Sequence, residues 1–457
     1  MLHLTTKLHR AYLRADAGQQ KLFVMLKMLP SPEAAQARPA VNLAVVIDTS
    51  GSMREPAPGA DVRVVPGDPI EVDGKTYNAR FEGSMKLDVA VEAARRLIES
   101  ASLGPNDRVT LIRFDDDSSI VAQGNPIQDR AQLLEGIESL SQFSGGTQMG
   151  KGLRNAVEAL AGDSTSARKV LLLTDGLAVD EDECRAAAGA LAEIGAPVVA
   201  LGVGEEYNED LMSDVASVSL GRPYDLRDMT GLPQIFETEL GSTANQVVSD
   251  VRLTLRTVRD VQLVSAMRSY PSLSEIDPSG DPLVLGSIEA GDHTVFILEL
   301  DVPARPPVRA RIAQLGVTYL VPAQGYRGEI AVQDLIVEFT DDEGLASQVD
   351  PEVMGYVQQR NVDSLVRQAT EQARTNPEQA ARTLQVARSM TQRLGNQSMT
   401  QALGQAQQEL QSSGTLAVGT RKTIKLGART QTMKAGGPDA ALDNLPTEEE
   451  IKRLTGA

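Results

Sequence analysis

The sequence contains few of the residues that most often support redox chemistry, ring stacking or membrane insertion. Its 457 residues include no tryptophan, one cysteine and 3% aromatic residues. The single cysteine, Cys184, excludes an internal disulfide and favours a reducing cytosol. The shortage of aromatic side chains argues against recognition of bases or sugars by stacking. No apolar run reaches the roughly 18 residues of a membrane span, and no secretory signal opens the chain. We therefore expect a cytoplasmic protein.

Positive charge is also scarce. The chain has 44 lysines and arginines against 62 aspartates and glutamates, which gives a formal net charge of −18. Nucleic acids and anionic membranes are bound through basic surfaces, so neither is expected as a main partner. An acidic chain can hold divalent cations, but the same charge also keeps a protein soluble. Composition alone leaves these two interpretations open.

Residues 38–241 alternate between apolar strands and amphipathic helices. The predicted strands cover residues 40–48, 108–114, 169–173, 197–203 and 221–225. This alternation is typical of a doubly wound, mostly parallel sheet that is covered by helices on both faces. We predict a Rossmann-like α/β domain over this part of the chain.

An insert at residues 54–83 interrupts the α/β pattern directly after the first strand and its loop. It is rich in Pro and Gly, and Asp73-Gly74 lies between two runs of alternating residues, which is a strong hairpin signal. The insert is either a tolerated surface loop or an element that selects a binding partner.

Two β-rich segments flank the α/β domain. Residues 1–37 resemble two strands joined at Asp16-Ala17-Gly18, and residues 242–347 contain strands separated by Pro/Gly turns without helices between them. Such a pattern is typical of an antiparallel β-sandwich. Because two strands alone are marginally stable in water, we expect the first pair to join this sandwich. The α/β domain would then be inserted into it.

The C-terminal part divides into a helical segment and a tail. Residues 348–412 carry three Ala-rich apolar stripes at helical spacing, which predict helices that pack on one another. Residues 413–457 are rich in Gly and Thr and poor in apolar residues, which predicts a disordered tail.

Two features of the tail leave its role open. One is a basic run formed by Arg421, Lys422, Lys425, Arg429 and Lys434. Residues 445–454 have the form of a short capped helix, with Thr447 as N-cap and Glu450 three residues later. The tail is either a solvated extension or a peptide that docks on a partner. A kinase or phosphopeptide-binding partner is one such possibility, since Thr423, Thr430 and Thr432 lie within the basic run.

Oxygen-bearing side chains follow two of the predicted strands and open one predicted helix. Asp48, Ser50 and Ser52 come directly after the apolar run 43–47, Thr147 lies in a Gly-rich loop before a helix, and Asp175 follows another apolar strand. Each could simply cap a helix or a turn. Together they form a hard, oxygen-only set that could meet at one sheet edge, and such a set suits Mg²⁺ or Mn²⁺.

These loops resemble the metal-ion-dependent adhesion site of von Willebrand factor type A (VWA) domains. The resemblance rests on Asp-x-Ser-x-Ser at residues 48–52, on Ser-Gly-Gly-Thr at 144–147 and on Thr-Asp-Gly at 174–176. It implies that Ser50, Ser52 and Thr147 bind the ion directly, while Asp48 and Asp175 act mostly through waters. An aspartate or glutamate of a protein partner would complete the coordination. The flanking parts resemble the layout of bacterial intracellular relatives.

An enzymatic function fits these residues less well. A phosphotransferase of the haloacid-dehalogenase class needs a second acid two residues after Asp48, where this chain has Ser50. The histidines His3, His9 and His293 all lie outside the α/β part, and no P-loop is present. We therefore expect no enzyme but a metal-dependent protein-interaction module. The alternative is a scaffold or regulatory subunit that acts through its tail, and a Mg²⁺-dependent phosphotransferase ranks third.

Overall fold

The computed structural model describes residues 1–36, 38–61, 63–72, 75–162 and 165–435. The strands of the first half are β1 Leu2–Leu8, β2 Tyr12–Arg14, β3 Gln19–Pro30, β4 Val41–Asp48, β5 Arg63–Val72, β6 Lys75–Glu82, β7 Arg108–Phe114, β8 Ser118–Gly124, β9 Ala167–Thr174, β10 Val198–Val203 and β11 Arg222–Leu226. Those of the second half are β12 Gln246–Thr257, β13 Gln262–Tyr270, β14 Ser274–Ile276, β15 Leu283–Glu289, β16 Thr294–Pro303, β17 Val308–Val321 and β18 Tyr326–Thr340.

Helices cover the α/β sheet and build the C-terminal part. Up to the end of the α/β part they are α1 Pro32–Ala35, α2 Lys86–Ile98, α3 Arg130–Ser139, α4 Met149–Ala161, α5 Glu181–Glu193, α6 Glu209–Val218 and α7 Leu232–Ala244. The later helices are α8 Glu343–Ala346, α9 Pro351–Gln372, α10 Pro377–Arg393, α11 Gln397–Ser413 and α12 Val418–Thr430. Within the described residues, no helix has the length and apolarity to cross a lipid bilayer.

The α/β sheet has the strand order β11-β10-β9-β4-β7-β8. Strand β4 lies inside it and pairs in parallel with both β9 and β7, while the edge strand β8 is antiparallel. Residues 43, 45 and 47 of β4 pack with α2, α3 and α7, whereas Ala44 and Val46 pack with α4, α5 and α6. Both faces of β4 are therefore buried, which explains its continuous apolar run. The predicted α/β fold class is confirmed.

A β-sandwich lies beside this sheet. One layer has the order β1-β3-β16-β13-β14, and the other has the order β15-β12-β17-β18-β2. The side chains between the layers form one continuous apolar core. The N-terminal segment does enter the sandwich, but it supplies three strands and not the two that the sequence suggests. The short β2 leaves the first layer and pairs in parallel with β18 in the second.

Helices α9 to α12 share an apolar core, and α9 also packs on the sandwich through Val353 and Tyr356. The prediction of a disordered tail from residue 413 is wrong for the described part. Helix α12 places Ile424 and Ala428 in the helical core and Leu426 in the α/β core. Its few apolar residues are enough to hold the helix in place, because the helical core and the α/β core each bury some of them. Residues 436–457, including the helix predicted at 445–454, lie outside the described residues.

Candidate metal centre

Three loops meet at the carboxyl edge of the α/β sheet. Strand β4 ends at Asp48, and its parallel neighbour β9 ends at Thr174, directly before Asp175. The residues Ile47 and Leu173 are register partners, so the two chain segments leave the sheet side by side. Polar groups at such an edge are placed where open α/β sheets bind their ligands.

Asp48 lies at the buried end of this group. Its Oδ1 accepts a hydrogen bond of 2.8 Å from the backbone N–H of Ser50, and its Oδ2 accepts one of 2.6 Å from the Thr174 hydroxyl. Burial outweighs these bonds and raises the pKa of Asp48 to about 6. Among the described residues Asp48 has no cationic partner within ion-pair distance, so its charge is compensated only by neutral donors.

A chain of hydroxyls connects this region to Asp175. The Oγ atoms of Ser50 and Ser52 are 3.1 Å apart, and the Ser52 hydroxyl donates to Asp175 Oδ1 at 2.7 Å. Asp48, Ser50 and Asp175 are buried, while Ser52 is half-buried. Four of the five residues predicted from the sequence therefore form one hydrogen-bonded cluster.

Thr147 lies beside this cluster. Its loop contacts the first one through the Gly51 N–H, which donates to the Gly145 carbonyl at 3.1 Å. A Cβ atom placed on Gly176 would lie 3.0 Å from Thr147 Oγ1, so this hydroxyl sits against the residue that follows Asp175. The structure thus brings all five predicted residues to one sheet edge.

Gly145 and Gly146 are needed for this approach. A Cβ atom on either residue would come within 2.6 Å of a carboxylate oxygen of Asp116. Any larger residue would force this loop or Asp116 to move. The two glycines therefore allow the Thr147 loop to pass close to the loop that follows β7.

Lys86 is a member of the site that sequence reasoning missed. Its ammonium donates to Asp175 Oδ2 at 2.6 Å and to Glu55 Oε2 at 2.8 Å. Burial acts to lower the pKa of Lys86, but the bonds to Asp175 and Glu55 outweigh it and the pKa is raised. The sequence offers only a weak indication of this role. A lysine in the first turn of a helix is unfavourable next to the helix dipole, which indicates that its charge is compensated by another group.

The donor set fits a hard divalent cation. The described residues contain no group of three or more His, Cys, Asp or Glu side chains arranged for a metal. The oxygen cluster depends instead on hydroxyls together with two carboxylates, which are ligands that Mg²⁺ and Mn²⁺ accept. The charge of the buried Asp48, which has no cationic partner in the described part of the chain, is what such an ion would compensate.

Comparison with known proteins agrees with the α/β fold that surrounds this site. Residues 75–238 match the model of the von Willebrand factor type A domain. The chain contains a VWA domain. The match begins after Asp48, Ser50 and Ser52, so the first loop of the site is supported by the sheet geometry and by the motif itself. Residues 351–434 match a second model, the Sll0103-like C-terminal alpha-helical domain, which includes α12.

Two solved structures have a similar fold over almost the whole chain, and a curated relative matches part of it. An uncharacterized protein of Synechocystis, sll0103, is 23% identical over 295 residues, which are 62% of this chain. The matched part spans 63% of that relative's length. A von Willebrand factor type A protein from Catenulispora acidiphila is 16% identical with a TM-score of 0.76, over 94% of this chain and 97% of that one. The ArnB paralog VWA2 from Sulfolobus acidocaldarius is 15% identical with a TM-score of 0.59, over 95% and 100%. At these identities the solved structures show the fold alone.

Proposed function

We propose that the VWA domain binds Mg²⁺ or Mn²⁺ and uses the bound ion to hold an Asp or Glu side chain of a partner protein. Ser50, Ser52 and Thr147 would supply hydroxyl ligands, and Asp48 and Asp175 would supply negative charge. The observation that carries the proposal is the continuous oxygen cluster from Asp48 to Asp175 at the carboxyl edge of the sheet. The bound ion would contribute a concentrated positive charge that attracts a carboxylate.

The protein itself keeps the cluster in place before any partner arrives. Thr174 and the Ser50 N–H fix both oxygens of Asp48, while Ser52 and Lys86 fix both oxygens of Asp175. Neither carboxylate can rotate freely, so little ordering is required when an ion binds. This preorganisation supports a binding role.

The insert is placed to influence which partner binds. Its base is closed by backbone hydrogen bonds from Ala57 to Ser84 and from Lys86 to Glu55, at 3.0 Å each. Glu55 also accepts from the Lys86 side chain, so the base of the insert contacts the site directly. We propose that the β5–β6 hairpin helps to select the partner.

A function carried by the tail is less well supported for residues 418–435. The Lys422 ammonium is buried and donates to the carbonyls of Glu205 and Tyr207, at 2.8 and 2.7 Å. Lys425 pairs with Asp210 at 2.6 Å. This basic run is therefore used to dock α12 on the VWA domain, which leaves it less available to another protein.

The test is affinity capture from the native cytoplasm in Mg²⁺ and in EDTA. We expect partner recovery in Mg²⁺ and loss of it in EDTA and in Asp48→Ala or Thr147→Ala. Asp182→Ala, which removes an exposed carboxylate on α5, should behave as wild type. Equal recovery in EDTA would contradict the proposal. Mg²⁺-dependent turnover of a phosphoester that is lost in Asp48→Asn would favour a phosphotransferase instead.

A further inference from the structure

A second polar site lies at the amino-terminal ends of the VWA strands, opposite the metal centre, where the sheet meets the β-sandwich. The cavity there has a volume of about 90 Å³ and is partly open to solvent. Its walls come from the first residues of β9, β10 and β11, from α7, and from strands β13, β15 and β16. A single water needs roughly 10–15 Å³ of such space, so the cavity has room for a small anion.

Arg268 is the most unusual residue of this cavity. It is 7% exposed, and its guanidinium donates to neutral acceptors only, namely the Gly221 carbonyl, the Ser272 carbonyl and hydroxyl, and the Ser274 hydroxyl. Among the described residues no carboxylate lies within ion-pair distance of it. Burial, helped by the nearby positive charge of Arg222, lowers the pKa of Arg268 to about 9. Buried charges are normally paired, so the buried charge of Arg268 indicates that an anion binds beside it.

The neighbouring carboxylates are already engaged. Glu239 accepts from Lys169 at 2.8 Å and from the Tyr224 hydroxyl at 2.7 Å. Glu289 accepts from the Ser242 hydroxyl at 2.7 Å. Arg222 reaches the same two carboxylates only at 3.9 and 3.6 Å, which is longer than a hydrogen bond.

The charges around the cavity sum to an excess of one positive unit. Arg222, Arg268 and Lys169 carry three positive charges, and Glu239 and Glu289 carry two negative ones.

At the far end of the cavity, the Asp292 carboxylate pairs with Lys434 at 2.8 Å and does not alter this balance. Two further polar atoms that line the cavity, Gln246 Oε1 and Ser287 Oγ, are buried without a hydrogen-bond partner in the described structure. Of these two atoms, the Ser287 hydroxyl can donate to an anion, which adds to the effect of the surplus positive charge.

We propose that this cavity binds a small anion with a carboxylate or phosphate group, held by Arg222 and Arg268 between the VWA domain and the sandwich. A guanidinium is suited to both groups because its parallel N–H donors match two oxygens at once. The inference is independent of the proposed metal site, which lies at the other edge of the sheet.

The experiment is isothermal titration calorimetry of the full chain with inorganic phosphate and, separately, with succinate. The protein is treated with EDTA and then dialysed, so that no metal-bound anion contributes and no EDTA competes for the site, and NaCl at matched ionic strength is the blank. We expect binding of at least one of the two anions and a loss of roughly tenfold or more in affinity for Arg222→Gln. The anion that binds identifies the oxygen group that the site prefers.

Arg252→Gln is the matched control, because Arg252 forms a surface ion pair with Asp250 outside the cavity. It should bind as wild type. Arg268→Met should abolish binding, and Arg222→Gln keeps the test decisive if Arg268→Met fails to fold. Absence of binding for both anions, or equal binding by wild type and Arg222→Gln, would overturn the inference.

Discussion

Replacing Lys86 with Met is expected to strengthen Mg²⁺ binding. Lys86 holds one positive charge against Asp175, so Asp48, Asp175 and Lys86 together carry a net charge of −1. Without Lys86 the same group carries −2 and attracts a divalent ion more strongly. The side chain of Lys86 is 11% exposed, so solvent screens its charge only in part.

The size of the effect follows from Coulomb's law at short range. Two unit charges about 4 Å apart interact by roughly 4 kcal/mol at an effective dielectric constant of about 20. The ion would lie farther from Lys86 than Asp175 does, and the exposed Glu55 offsets part of the charge. We therefore expect a gain of roughly 1.4–3 kcal/mol, which is about ten- to a hundredfold in Mg²⁺ affinity.

Stability should change in the opposite sense when no metal is present. Removing one partner of a buried ion pair costs about 3–5 kcal/mol because the remaining charge stays unpaired. The melting temperature of Lys86→Met in EDTA should fall, and excess Mg²⁺ should restore more of it than in wild type.

The assay is calorimetric titration of EDTA-treated, dialysed protein with MgCl₂, combined with thermal melts. Lys169→Met is the matched control, since it breaks another buried lysine pair, with Glu239, at the opposite edge of the sheet. It should lose stability without a change in Mg²⁺ affinity. Unchanged or weaker Mg²⁺ binding by a folded Lys86→Met protein would refute this reasoning. Failure of the wild type to bind Mg²⁺ would instead refute the metal site itself.

Two further predictions concern the contacts that join the parts of the chain. Lys422→Met removes two charge-assisted hydrogen bonds to backbone carbonyls of the VWA domain, so α12 should detach more easily, and limited proteolysis before Val418 should become faster than in wild type. Burial acts to raise the pKa of Glu239, but the positive charges of Lys169 and Arg222 outweigh it, so this pKa is lowered. Its contribution to stability is therefore present at neutral pH and lost as the pH falls below about 4.5. The difference in melting temperature between wild type and Glu239→Gln should narrow over this range, and a constant difference would contradict the assignment.

The α/β fold was predictable because its signals are local. The apolar run of β4 is buried on both faces, and such runs alternate with helices along the chain. The edge strand β8 was missed, since its residues are mostly half-exposed and carry no continuous apolar run. Helix α12 was missed for a different reason. Its burial depends on the α/β domain as well as on the neighbouring helices. The α/β domain lies far away in sequence, and composition in a short window cannot show this contact.

The sequence by itself determined the chemistry of the candidate site. Hydroxyl and carboxylate side chains placed directly after apolar strands must meet at the carboxyl edge of a parallel sheet, because parallel strands all end there. Only the tertiary structure decided the charge of that site, since Lys86 reaches Asp175 from a helix that begins after a long insert. The same holds for Arg268, which lies between two domains and has no carboxylate partner among the described residues. The electrostatic balance of a site depends on distances through space, and the order of residues along the chain does not contain these distances.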